Sequence, residues 1–191
     1  KAKEIANRNI ELLSGIISSE APLIGIEPSG ILTFRDEYID LASDTNYAKA
    51  KALAAVAFTI EEFLANEYNA GRIDRTLFTT EVKNILIHGH CYQKALSSQQ
   101  YISTFLEIPV NYKTSLIPSG CCGMAGGFGY EKEHYVLSQQ VGELVLFPAV
   151  RAAGESDIIA ASGTSCRHQV KDGTGKKALH PVEILFDALL P

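Results

Sequence analysis

The run "NILIHGHC", residues 84–91, is the stretch from which the fold can be read. Ile85, Leu86 and Ile87 are continuous apolar positions that stop at the polar turn His88-Gly89-His90. A short apolar run without alternation, closed by glycine, predicts a strand buried on both faces. Three other stretches have the same look. "PLIGIEPSG" (22–30) predicts a buried strand stopped by Pro and Gly, "PVNYKTSLIPSGCC" (109–122) an extended segment, and "SDIIAASGTSC" (156–166) a further strand. Helical patterns lie between them. Residues 1–18 place Ile5, Ile10, Leu12, Leu13, Ile16 and Ile17 on one broad face, and residues 31–41 read as a second helix. The Ala-, Lys- and Glu-rich stretch 46–70 reads as one helix ending at Gly71, and residues 92–107 as another. A long pattern over 131–154 has Pro148 as its kink. "HPVEILFDALL" (180–190) closes the chain, with Pro181 as the first helical residue. Strands that alternate with helices and lack polar alternation predict an α/β fold: a mainly parallel sheet with flanking helices.

In such sheets the site lies at the carboxyl ends of the strands. The four cysteines follow that rule. Cys91 follows the strand 84–90, Cys121 and Cys122 follow the extended segment, and Cys166 ends the strand 157–162. Residues far apart in sequence are thus expected to project to one edge of the sheet.

Composition narrows the partners. The chain has 191 residues and a formal net charge of −5, with a pI near 5.5 and no basic cluster. Nucleic acid and anionic membranes are therefore poor partners. No apolar run reaches the roughly 18 residues of a membrane span. Few scattered cysteines do not make a secreted disulfide framework; they suit a reducing compartment in which thiols serve metal or redox chemistry. The chain is accordingly read as cytoplasmic, or peripheral at the inner face of the membrane. Its start, "KAKEIANRNIELL", already lies in a helical pattern and reads as a fragment of a longer protein.

The chemistry is concentrated in "PSGCCGMAGGFGY", residues 118–130, where adjacent cysteines precede four glycines in seven residues. Four convergent thiolates suit Zn²⁺ or an iron–sulfur cluster. No pair of C-x₂-C knuckles is present, and neighbouring sulfurs reach different metal atoms more easily than one small tetrahedral ion, which favours the cluster. The glycines from Gly123 onward would let the backbone wrap a bulky group, with N–H donors from the following helix. His88, His90 and His168 lie beside Cys91 and Cys166 and could complete the site or hydrogen-bond a sulfur; each could equally be a strand-end polar residue bonded to backbone. His134 and His180 read as helix-start residues, and Asp36, Glu37, Glu61 and Glu62 as solvated helix faces. A Cys91–His nucleophile lacks an orienting third residue. A redox-active pair Cys121–Cys122 stays open. The glycine run is neither G-x-G-x-x-G nor a Gly-Lys-Ser/Thr loop, so a nucleotide site is weakly signalled.

A faint internal repeat is also present. The segment around Pro22–Glu37 resembles that around Ser156–Asp172, with Ser29-Gly30 falling on Ser165-Cys166 and Glu27 on Gly163. Two pseudo-repeated lobes, the first incomplete, would give this pattern: residues 1–80 as the tail of a first repeat with connecting helices, and 81–191 as a second, cysteine-rich repeat.

"IHGHCYQKAL", "PSGCCGMAGGFGYEKEHY" and "IAASGTSCRHQVKDGTGKKALHPVEIL" together resemble the CCG, or cysteine-rich, domain found in heterodisulfide reductase and in the iron–sulfur subunits of glycolate and lactate oxidases. The likeness is strongest to the C-terminal part of fusions of an FAD-linked oxidase with iron–sulfur segments, of the D-lactate or D-2-hydroxyglutarate dehydrogenase kind. It covers residues 84–190 strongly and 1–41 as a preceding tail. The resemblance implies Cys91, Cys121, Cys122 and Cys166 as ligands of an iron–sulfur cluster, of [4Fe–4S] type, or of zinc. Gly123, Gly163, His88, His90 and His168 would surround it. It also implies electron transfer between flavin and ferredoxin-like domains of the same parent chain and an unidentified acceptor, with FAD outside this segment. The segment would not be catalytically complete alone, and its site could be empty in isolation. Two positions depart from the family pattern: Gly163 stands where a repeat carries the first Cys of its final motif, and Tyr92 where a His would follow Cys91.

Overall fold

The computed structural model describes all 191 residues. In chain order the elements are α1 (Ala2–Leu13), β1 (Leu23–Gly25), α2 (Pro28–Ile31), α3 (Glu37–Leu41), α4 (Tyr47–Ala55), β2 (Ala57–Thr59), α5 (Ile60–Asn69), β3 (Lys83–His88), α6 (Cys91–Leu96), α7 (Gln100–Leu106), β4 (Tyr112–Leu116), α8 (Tyr135–Glu143), α9 (Leu146–Ala152), β5 (Ile158–Ala161), α10 (Thr164–Thr174), β6 (Ala178–Leu179) and α11 (Pro181–Phe186). The strands form a two-stranded sheet, β1-β2, and a four-stranded sheet in the order β4-β3-β5-β6. Every pairing is parallel, so the α/β class read from the sequence holds.

β3 lies at the centre of the larger sheet because it can face apolar side chains on both sides. Alternation along the strand sends Ile85 and Ile87 to one face, where they pack with Ile102, Phe105 and Leu106 of α7 and Ile184 and Leu185 of α11. Leu86 points the other way and joins Ile159 and Ala161 of β5 against Leu146, Phe147 and Val150 of α9 and Val170 of α10. Cys122 and Cys166 sit at the edge of this second cluster.

The smaller sheet is less buried than the run 22–30 suggests. β1 has only one strand beside it, so Ile24 remains partly exposed and Ile26 largely so. Ile5, Leu12 and Ile16 are exposed as well, and α1 buries only Ala6 and Ile10. Other expectations fail at boundaries. The stretch 31–41 is a 3₁₀ turn over Leu32–Arg35 followed by α3. The stretch 46–70 is not one helix, because Ala57-Phe58-Thr59 pairs with β1 as β2. Residues 92–107 break between α6 and α7, where the extended Ser97 turns the chain. In 131–154 the break falls at Leu144–Val145; Pro148 occupies the first turn of α9, where its missing N–H deprives no carbonyl of a partner. The last long strand ends at Ala161, so Cys166 lies in the first turn of α10 rather than in a strand.

β1 and β2 pair in parallel and lead into α5 through an N-cap, Thr59. β5 and β6 do the same and lead into α11 through His180.

Candidate metal centre

Each cysteine sits just beyond the carboxyl end of a strand in the larger sheet. Cys91 opens α6 after β3. Cys121 and Cys122 follow β4, and Cys166 opens α10 after β5. The four are free thiols, Cys91 and Cys121 half-buried, Cys122 and Cys166 buried. They line one cavity of about 400 Å³, together with His90, Tyr92, Ala125, Gly126 and Ser165, and with Ser29 from the amino-terminal lobe. The convergence read from the strand pattern is therefore realised.

The sulfurs neighbour one another in a run from Cys91 to Cys121, to Cys122, to Cys166, each close enough to shift the acidity of the next. Their acidities alternate along it. Contact with Cys121, together with burial, pushes the Cys91 thiol far above its ordinary range. Contacts with Cys122 and Cys91, helped by the N–H groups of Gly123 and Ala125, hold the Cys121 thiol well below its ordinary range; the Gly123 N–H lies 3.3 Å from its sulfur. Cys122 is pushed up by Cys121 and then Cys166. Cys166 is held low by contact with Cys122, against the effect of burial, with help from the His88 imidazole. Mutual contact thus splits the four acidities, two pushed up and two down, in a sulfur set suited to soft metal ions.

The backbone donors to Cys121 come from the glycine loop itself, not from the following helix as the sequence reading has it. α8 begins only at Tyr135. The loop curls because Gly123 adopts φ +103° and Gly126 φ +69°, both in the left-handed region. A Cβ on Gly123 would also stand 2.1 Å from the Ser138 carbonyl oxygen.

The three histidines differ. His88 is fully buried. Its Nδ1 lies 2.7 Å from the Ser119 hydroxyl, whereas Nε2 is buried without a hydrogen-bond partner. A ring nitrogen of His88 and the sulfurs of Cys122 and Cys166 all lie within 4.8 Å of one another. His90 caps α6: its Nδ1 accepts the Tyr92 N–H at 3.2 Å. That bond fixes the neutral ring as the Nε2–H tautomer, a hydrogen-bond donor rather than a ligand. His168 is exposed and its Nδ1 pairs with the Tyr130 hydroxyl at 2.7 Å, off the sulfur chain.

Gly163 faces the site in a way the sequence does not disclose. A Cβ there would lie 2.5 Å from His90 Cδ2 and 3.2 Å from the Cys166 sulfur. The His90 ring fills the space that a side chain at position 163 would need.

Sequence reasoning also missed the buried acids. Glu61 and Glu62 are not on a solvated face; they are 0% and 6% exposed. The first turn of α5 carries them inward. Glu61 Oε1 accepts from the Ser162 hydroxyl at 2.5 Å, and Glu62 pairs with Arg35 at 2.8 Å. The only sequence signal was Thr59-x-x-Glu62, a helix-capping spacing in which the Thr59 hydroxyl accepts the Glu62 N–H. Glu37 likewise is tied to the Tyr92 hydroxyl.

No family model matches the chain. Curated proteins do. Over 188 residues, 96% of its length, the chain is 27% identical to D-2-hydroxyglutarate dehydrogenase of Escherichia coli K12. Over 194 residues, 99% of its length, it is 24% identical to one subunit of the anaerobic glycerol-3-phosphate dehydrogenase of the same organism. D-2-hydroxyglutarate dehydrogenase of Haemophilus influenzae matches at 24% over 196 residues. The chain is related to dehydrogenases. It spans 17%, 46% and 18% of these three relatives. No solved structure matches significantly. No helix is long and apolar enough to cross a membrane.

Proposed function

We propose that this chain is an electron-transfer segment of an iron–sulfur oxidoreductase, with Cys91, Cys121, Cys122 and Cys166 holding the cluster. The observation that carries the reading is the meeting of four sulfurs, from three separate stretches, in one cavity beyond the carboxyl ends of the strands. A cluster bound there, of [4Fe–4S] type, would take and give single electrons. The chain's part is to present four convergent sulfurs, to supply N–H donors from Gly123 and Ala125 to the Cys121 sulfur, and to place the His90 N–H at the cavity wall. Binding would displace the protons held by Cys91 and Cys122.

The relatives support the wider setting. A D-2-hydroxyglutarate dehydrogenase that is several times longer than this chain fits a parent protein in which a flavin domain oxidises a 2-hydroxy acid and ferredoxin-like segments pass electrons on to an unidentified acceptor. FAD belongs to that other part. In this reading residues 1–80 are the tail of a first repeat and 81–191 the second, and the protein works in the cytoplasm or at the inner face of the membrane.

A second reading rests on its own observation. His88, Cys122 and Cys166 are close enough together to hold one Zn²⁺. Anaerobic purification with iron, sulfide and zinc analysis separates the two. The cluster reading expects iron and acid-labile sulfide in comparable amounts, broad absorbance near about 400 nm from thiolate-to-iron bonding, and loss of both in Cys91→Ser. Zinc without visible absorbance, retained in Cys91→Ser and lost in His88→Ala, would replace it.

A further inference from the structure

We propose that the cleft between α10, β6 and α11 is a binding site for a small amphipathic organic dianion, a dicarboxylate or a phosphate ester with an apolar body. The cleft encloses about 580 Å³, larger than the cysteine cavity and within the ~300–1,000 Å³ usual for small-molecule sites. The two cavities share α10: Ser165 and Cys166 face one, Arg167, His168 and Lys171 the other. Ile26 reaches over from the amino-terminal lobe.

The charge of the lining sets the ligand class. The chain as a whole is acidic, with 22 Asp and Glu against 17 Lys and Arg, yet this cleft gathers Arg167, Lys171 and Lys177 against a single acid, Glu183. None of the three cations has a carboxylate partner. Arg167 donates to the carbonyls of Ala161 and Ser162 at 3.0 and 2.6 Å and to the Thr164 hydroxyl at 3.2 Å. These bonds orient its guanidinium without neutralising it. Lys171 donates to the Gly175 carbonyl at 2.9 Å. Lys177 makes no hydrogen bond or ion pair and is exposed. Glu183 is engaged at the helix cap, accepting the His180 N–H at 2.7 Å. The lining therefore holds a net excess of two positive charges, which a dianion would balance. His168 adds polar grip at the rim, since its Nδ1 is committed to Tyr130 and its other nitrogen is free. Ile26, Ala178 and Val182 form an apolar wall, and Ile26, 63% exposed, has no apolar cover. A purely inorganic anion would leave that wall bare; a carbon body would cover it.

This inference does not depend on the metal reading, because no lining residue is a sulfur ligand. Calorimetric titration of the purified chain tests it, run at low ionic strength because the Debye length is only about 10 Å at 0.1 M salt. The probes are phthalate and phenyl phosphate, with benzoate (one charge) and inorganic phosphate (no body) as controls. At least one dianionic probe is expected to bind saturably and at least tenfold more tightly than both controls. The double variant Lys171→Gln, Lys177→Gln, at exposed positions, should weaken it tenfold or more while the thermal unfolding midpoint stays put. Preference between the two probes tells carboxylate from phosphate ester. Absence of saturable binding, equal binding of the controls, or an unaffected double variant overturns the proposal. So does displacement of the probe by a Glu-rich peptide that binds more tightly, which would make the cleft a protein-docking site.

Discussion

Gly163→Ala tests whether His90 fills the space beside Cys166. Gly163 lies at φ −73°, ψ 133°, a conformation open to any residue, so backbone strain plays no part. The new Cβ would meet His90 Cδ2 at 2.5 Å, about 1 Å inside the ~3.5–4.0 Å at which carbon atoms pack. The ring has little room to retreat: the residue is 7% exposed, its Nδ1 holds the Tyr92 N–H, and its backbone N–H is anchored to Gln93 Oε1 at 3.3 Å. Overpacking of this kind destabilises by about 1–3 kcal/mol. Replacing glycine returns about 0.4–1 kcal/mol by restricting the unfolded chain, so a net loss of about 1–2 kcal/mol is expected. His90→Ala alone should cost about 0.5–2 kcal/mol through the lost cap. In the His90→Ala background, Gly163→Ala should be neutral or mildly stabilising. Urea unfolding of the four proteins, followed by circular dichroism, gives the coupling, expected at about 1–3 kcal/mol. Equal effects of Gly163→Ala in both backgrounds would refute the reasoning.

Two further outcomes follow from the lobe interface. Glu27 accepts from the Thr164 N–H and hydroxyl, each at 2.9 Å; burial works against its charge, but these bonds and those from Ser29 hold its carboxyl below the ordinary 4.5. A depressed carboxylate stabilises the fold above its unfolded value and loses that effect as pH falls through its folded one, so Glu27→Gln should be less stable by about 0.5–1 kcal/mol at pH 7, solvent screening included, with the gap closing in acid; an equal gap at pH 7 and pH 3 would contradict this. Ser162→Ala removes the only hydrogen bond to the buried Glu61 carboxylate and should cost about 1–3 kcal/mol in urea unfolding, recovered in part by Glu61→Leu in the same chain; no loss would mean that Glu61 finds another donor.

The larger sheet was legible because β3 and β5 carry runs that only a doubly covered strand tolerates, and the meeting of the cysteines followed from strand direction alone. Pro181 declared the start of α11 in the same local way. The smaller sheet was not legible. Ala57-Phe58-Thr59 sits inside an alanine-rich stretch whose propensity is helical, and only pairing with β1, a partner more than 30 positions away, makes it a strand. Glu61 and Glu62 misled for the same reason: charge predicts exposure unless a distant Ser162 or Arg35 supplies the partner. The role of His90 at Gly163 was hidden because nothing local joins positions 90 and 163.

Glu27 grips Thr164 two residues ahead of Cys166, and His180 Nε2–H holds the Ile26 carbonyl at 2.8 Å. The front lobe is thereby coupled like a lever to the turn that aims the innermost thiol. A substitution that loosens Glu27 or His180 therefore acts first on the backbone that positions the Cys166 sulfur.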